Sequence, residues 1–118
     1  MLNQYVGVGR LTADPEVKRT EDGKEYSNFT LAVPRSYKNA EGVYETDFID
    51  VTSFGSIASN TAEYCKKGDI VGVKGRVETS VYEKEDGTKR KNTEIIAEKI
   101  TFLSSKKEKE NDNDDLGM

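Results

Sequence analysis

Between Tyr5 and Leu11 the chain alternates with a period of two: Val6 and Val8 take one face, Gly7 and Gly9 the other. That period predicts a strand, and glycines inside a strand suit sharp coiling or the close approach of a second backbone. Thr12-Ala13-Asp14-Pro15 is a turn, since Pro15 has no N–H for a ladder. Glu16–Arg19 is a candidate short strand, and Glu21-Asp22-Gly23-Lys24 a second turn in which Gly23 supplies the positive φ. Over Tyr26–Val33, Phe29, Leu31 and Val33 alternate with Asn28, Thr30 and Ala32, and Pro34 predicts that this strand ends, bulges or lies at an edge. A loop occupies Ser36–Tyr44 around Asn39-Ala40-Glu41-Gly42, and Asp47–Phe54 is the third main strand. Ser56 is an N-cap candidate for a helix over Ile57–Cys65, with Ile57, Ala58, Thr61, Ala62 and Cys65 as its apolar stripe. Lys66 and Lys67 fall in its last turn, and Gly68 is its stop. Ile70–Thr79 and Thr93–Leu103 are the fourth and fifth strands, joined across Val81–Asn92 by a charged loop or hairpin turning at Asp86-Gly87.

Five strands with one short helix between the third and fourth is the layout of the OB-fold, so an all-β closed barrel is expected over residues 1–103. After Leu103 the chain carries only Ser, Lys, Glu, Asn and Asp until Leu116-Gly117-Met118. By composition, residues 104–118 are expected to be a disordered acidic tail.

Parity points to the chemistry. In Asp47–Phe54, Ile49 and Val51 share a face with Ser53, while Phe48 and Phe54 share the other with Asp50 and Thr52. The aliphatic face is the better inward candidate, which turns two phenylalanines outward onto a polar surface. Such rings suit either the stacking of unpaired bases or a subunit interface or second packed layer. In the fourth strand Val71, Val73 and Val77 oppose Lys74, Arg76 and Glu78. The even parity continues to Tyr82, so Lys74, Arg76 and Tyr82 make either an outer track or an ordinary solvated face. Lys89-Arg90-Lys91 offers a phosphate clamp or a plain hairpin end, with Glu83, Glu85 and Asp86 close by. Tyr5, Tyr26, Tyr44 and Tyr64 read as packing or rim residues, and Cys65 as a buried small hydrophobe.

Charge complicates a polyanionic partner. The 118 residues carry 18 Lys/Arg against 22 Asp/Glu, a net of −4. Residues 1–103 hold 15 against 17, so any basic surface must be local. With no histidine and one cysteine there is neither the commonest general base nor a zinc site of the usual kind, and no cofactor is expected. Plentiful carboxylates leave a metal-dependent nuclease as the enzymatic rival, but a non-enzymatic binding protein is expected. No apolar run approaches a membrane span, and a cytoplasmic protein is expected.

Val8-Gly9-Arg10-Leu11-Thr12-Ala13-Asp14-Pro15-Glu16-Val17, Asn28-Phe29-Thr30-Leu31-Ala32-Val33, Phe54-Gly55, Ala62-Glu63-Tyr64, Lys67-Gly68, Val73-Lys74-Gly75-Arg76 and Thr93-Glu94-Ile95 occur in that order. In this order and spacing the chain, from Met1 to about Leu103, resembles the bacterial single-stranded DNA-binding protein family, especially Firmicute and phage forms. The resemblance implies base stacking on Tyr37, Phe48, Phe54 and Tyr82, and basic positions at Lys38, Lys66, Lys67 and Arg90. The family often has tryptophan at stacking positions and this chain has none, while two of its cationic positions are here Glu78 and Ser80. It further implies a homotetramer, and non-sequence-specific binding and protection of single-stranded DNA in replication, recombination and repair in a bacterial nucleoid. The family's tail docks replication and repair proteins through acids and an aliphatic-proline-phenylalanine tip. Here Asp112, Asp114, Asp115, Leu116 and Met118 keep the acids and apolar character without that proline and aromatic. An OB-fold accessory module whose barrel face binds protein is one rival reading, and an RNA-binding OB module is another, since base faces are shared by both polymers.

Overall fold

A computed structural model describes residues 1–104, with Ser104 described through its backbone. The elements are β1 (Tyr5–Leu11), β2 (Lys18–Arg19), β3 (Glu25–Lys38), β4 (Tyr44–Phe54), α1 (Ser56–Tyr64), β5 (Ile70–Glu83) and β6 (Lys89–Ser104). The strands follow one another in the order β1-β5-β6-β4-β3-β2, and β1 also pairs with β3. The closing pairs are Arg10 with Ala32 and Leu11 with Leu31, so β1, β5, β6, β4 and β3 form a closed five-stranded barrel with β2 as a short flange. One junction, β4 to β6, is parallel; the others are antiparallel.

Closure follows from where the large side chains stand. Leu11, Phe29, Leu31, Val51, Val71, Val73, Ile95 and Ala97 fill the interior, each large aliphatic contributing about 1.5–3 kcal/mol by leaving water. In β1 the glycines face in and Val6 and Val8 face out. Gly9 sits where β1 crosses onto β3: a Cβ there would lie 2.5 Å from the carbonyl oxygen of Ala32. α1 lies between β4 and β5 in the chain and packs against β3, β6 and β4, with Ala58 and Thr61 buried.

Two local expectations, both about the helix, are corrected. The helix is capped by Gly55 at φ 64°, not by Ser56, and no side chain bonds its N-terminus. It ends at Tyr64; Cys65 is extended, and Lys66 and Lys67 belong to a turn stabilised by Asp69 N–H donating to the Lys66 carbonyl oxygen. The apolar stripe held because Cys65 stays buried after the helix stops. Of the alternatives open at Pro34, the strand takes the bulge and the edge rather than the stop: it continues to Lys38, with a register shift between Pro34 and Lys38. Beyond Ala32 it has parted from β1, so a proline there removes no bond on that edge. β5 and β6 likewise run out to a hairpin in which Gly87 N–H donates to the Lys84 carbonyl oxygen.

Candidate nucleic-acid interface

β4 divides its side chains as its parity requires: Val51 and Ser53 are buried inward, Ile49 is partly buried with them, and Phe48 and Phe54 face out. The two rings are 67% and 49% exposed. A phenyl ring left in water forgoes about 1.5–3 kcal/mol of burial, so a pair on one polar face calls for something that covers them. β3 sets Ala32 beside Phe48 and Tyr26 beside Phe54; a methyl group is too small to cover the first ring.

Between the rings lies a polar cleft of about 280 Å³, rimmed by Asn28, Thr30, Asp50, Thr52, Asn92 and Glu94. The Thr30 hydroxyl donates to Asp50 Oδ1 at 3.1 Å. Thr52 Oγ1 lies 2.6 Å from Glu94 Oε2 and 2.8 Å from Asn28 Oδ1, and its single proton serves one of them at a time. Thr52, outward by parity, is therefore buried: Asn28 and Glu94 close over its hydroxyl.

Through Glu94 the same face passes onto the β5–β6 hairpin. Glu94, Asn92 and Arg90 are register partners of Glu78, Ser80 and Tyr82. Tyr82 is 52% exposed and has the Arg90 guanidinium as its cross-strand neighbour. Lys89 and Lys91 pair with Glu83 and Val81, and so point to the opposite face. Of the three consecutive cations, Arg90 alone shares the face of the rings.

The β3–β4 hairpin carries the fourth expected ring. Tyr37 is 62% exposed near the end of β3. Beside it Lys38 Nζ stands 5.6 Å from the centroid of Tyr44, an exposed ring that reads from the sequence as a packing or rim residue. Such a cation–π contact is visible only once the two strands are in register. Arg35 braces this hairpin: Nε and Nη2 grip Asp47 at 3.1 and 2.9 Å, and Nη1 reaches Glu45 at 2.7 Å. The hydrogen bond from Arg35 holds the Asp47 carboxyl below the usual carboxylate range, and that same bond raises the guanidinium's own pKa.

The remaining expected cations are dispersed. Lys66 and Lys67 are exposed in the turn after α1, where their backbone N–H groups donate to Asp69 Oδ2 and Asp14 Oδ1 at 2.8 and 2.7 Å. Lys74 stands between Val6 of β1 and Lys99 of β6. Arg76 borders the ring-bearing face, but Glu78 at 2.7 Å and Glu98 at 3.5 Å match its charge; the hydrogen bond to Glu78 is the main reason its pKa is raised. The track expected from Lys74 through Arg76 to Tyr82 therefore brings little net positive charge. Asp112, Asp114, Asp115, Leu116 and Met118 lie outside the described residues.

Among the described residues no group of three or more His, Cys, Asp or Glu could hold a metal ion. The Cys65 thiol is pushed up to about 11, chiefly by burial and then by the charge of Asp69. No helix among the described residues is long and apolar enough to cross a membrane.

Comparison with known proteins places the chain in a family. The model of the single-strand binding protein family matches residues 2–103. The chain is 45% identical over 106 residues to single-stranded DNA-binding protein B of Bacillus subtilis, covering 90% of this chain and 94% of that protein. It is 43% identical over 114 residues to single-stranded DNA-binding protein 1 of Staphylococcus aureus, covering 97% and 73%. It is 48% identical over 106 residues to single-stranded DNA-binding protein 3 of Listeria innocua, covering 90% and 66%.

Proposed function

We propose, proceeding from the fact that this chain belongs to the single-strand binding protein family, that it binds and covers single-stranded DNA during replication, recombination and repair. Phe48 and Phe54, with Tyr82 and Tyr37 at the two hairpins, stack on successive bases. A base has a π-face whatever its identity, so stacking grips the strand without reading a sequence. Lys38 and Arg90 meet phosphates beside the rings; Lys66, Lys67, Lys74 and Arg76 are the outer contacts of a longer path. The protein acts by binding and alters no covalent bond of the strand.

The reading extends to assembly. Residues Tyr5–Gly9 of β1 are paired on the β5 side only, and Val6 and Val8 project from that strand 69% and 51% exposed. An open strand edge flanked by exposed valines is a surface to be covered. A homotetramer that presents several barrels to one strand would multiply weak contacts through effective concentration. The segment after β6, with Asp112, Asp114, Asp115, Leu116 and Met118, docks replication and repair proteins in the bacterial cytoplasm, at the nucleoid.

The observation that carries this reading is the pair of open phenyl rings on the outer face of β4. Titration of a fluorescent oligonucleotide with the protein and with the F48A/F54A double variant tests it. Each stack is worth roughly 1–3 kcal/mol, so the double variant should lose at least tenfold in affinity while its melting temperature is unchanged. Equal affinity of the two proteins, or a preference for duplex over single strands, would remove the mechanism.

A further inference from the structure

The cleft between Phe48 and Phe54 is lined in a way that phosphate contact does not explain. Asp50 stands two residues from Phe48 on the same face of β4, about 7 Å along the strand. Glu94 reaches the cleft from β6 and touches Thr52, two residues before Phe54. Both carboxylates are fixed in place, Asp50 by the Thr30 hydroxyl at 3.1 Å and Glu94 by that of Thr52 at 2.6 Å. Among the described residues neither makes an ion pair with a lysine or arginine. A carboxylate offers about four acceptor sites, and one hydroxyl fills only one of them. The middle of the ring-bearing face thus carries net negative charge, and the two carboxylates' open acceptor sites outnumber the N–H donors that the Asn28 and Asn92 amides bring to the same cleft.

From this lining we infer that Asp50 and Glu94 tilt the groove toward cytosine and away from thymine. The inference rests on the single-strand reading above. A phosphate is negative and has no proton to give, so it is turned out of the cleft. Base edges then face inward, and an acceptor-rich wall rewards bases that donate. Cytosine presents its N4 amino group, the partner that Asp and Glu side chains take. Thymine has no amino group; its single donor, N3–H, lies between two carbonyl oxygens that face the same carboxylates. The two pyrimidines stack with similar area, so the difference falls on the cleft and not on the rings. This is a bias in base composition, laid over stacking that takes any base.

The experiment compares short oligo-dC and oligo-dT at mildly alkaline pH, with the protein and with a D50N/E94Q double variant. The two substitutions keep side-chain shape and an acceptor oxygen but remove the charge and add donors. Each polymer's own stiffness and self-stacking cancel when the dC:dT affinity ratio of the variant is divided by that of the parent. The expected result is a ratio that falls roughly three- to tenfold, with binding to both polymers tightened by the lost repulsion, as for single contacts of modest strength. A ratio unchanged or raised in a variant that melts like the parent overturns the inference and leaves stacking intact. Failure of the parent protein to bind either polymer would instead sink the single-strand reading on which it depends.

Discussion

A side chain's exposure and its chemistry disagree at many positions in this protein, and five of them carry the argument. Phe48, Phe54, Tyr37 and Tyr82 are aromatic where water should find polar groups. Cys65 is the reverse case, an ionisable group enclosed in the barrel core. Burial raises its pKa to about 11, so at neutral pH the thiol stays protonated and unreactive. Native protein should resist iodoacetamide at pH 7–8 and become labelled once denatured, a result read by mass spectrometry. The same shift has a stability consequence. The folded state holds the thiol proton more tightly than the unfolded chain, so this contribution is complete below the unfolded thiol's pKa. It is lost as pH rises through the folded value near 11. Denaturant titrations should show a decline on the alkaline side that is smaller in Cys65→Ala. Which rings face out was legible from the two-residue period of β4. That Thr52 would be covered was not, since Asn28 and Glu94 come to it from other strands.

At the scale of elements, the strands through Val8, Leu31, Val51 and Val73 were legible because each obeys one inward–outward alternation over several residues, whereas β6 breaks that rule, with Ile95, Ile96 and Ala97 buried in succession. Ends were less so. Pro34 reads as a stop, a bulge or an edge, and only the pairing decides: β3 runs on through a register shift because its partner on one side has left by then and the other, β4, continues as far as Tyr44. The helix start was misread for a local reason: Gly55 turns with a positive φ that places the cap one residue earlier than the serine suggests. β1 shows what glycine does in such a barrel. Gly9→Ala would press a methyl against the Ala32 carbonyl oxygen and the Leu31 side chain at the point where β1 closes the barrel. Overpacking of this kind costs about 1–3 kcal/mol, and thermal melting should show a lower midpoint. Little change in that midpoint would mean that β1 can move away from β3 cheaply.

For the molecule as a whole, charge and assembly set the terms of binding. The barrel's 15 cations are outnumbered by 17 acids, and on the ring-bearing face Arg76 is matched by Glu78 and Glu98. Stacking should therefore outweigh counter-ion release. Each phosphate met on a single strand contributes about −0.7 to the slope of log affinity against log salt, so an oligonucleotide short enough to meet only Lys38 and Arg90 predicts a slope of roughly −1.4 per barrel. Binding isotherms from low to moderate salt check this. A slope several times steeper would show that the outer lysines at positions 66, 67 and 74 carry the strand instead. Light scattering with and without oligonucleotide gives the number of barrels over which that slope is counted.

Sequence alone determined that the chain alternates as strands, that one short helix interrupts them, that β4 turns two phenyl rings outward, and that its motifs are those of one family. Each of these is local: a period of two, a glycine at a turn or a fixed spacing is written within a few residues of itself. Only the tertiary structure decided which outward residues share a face. The parallel junction of β4 with β6 brings Glu94 over Thr52, and the hairpin register sets Arg90 beside Tyr82 while turning Lys89 and Lys91 away. Those neighbours lie up to 42 residues apart in sequence, and pairing across a closed barrel, which no single strand's pattern encodes, is what makes them one surface.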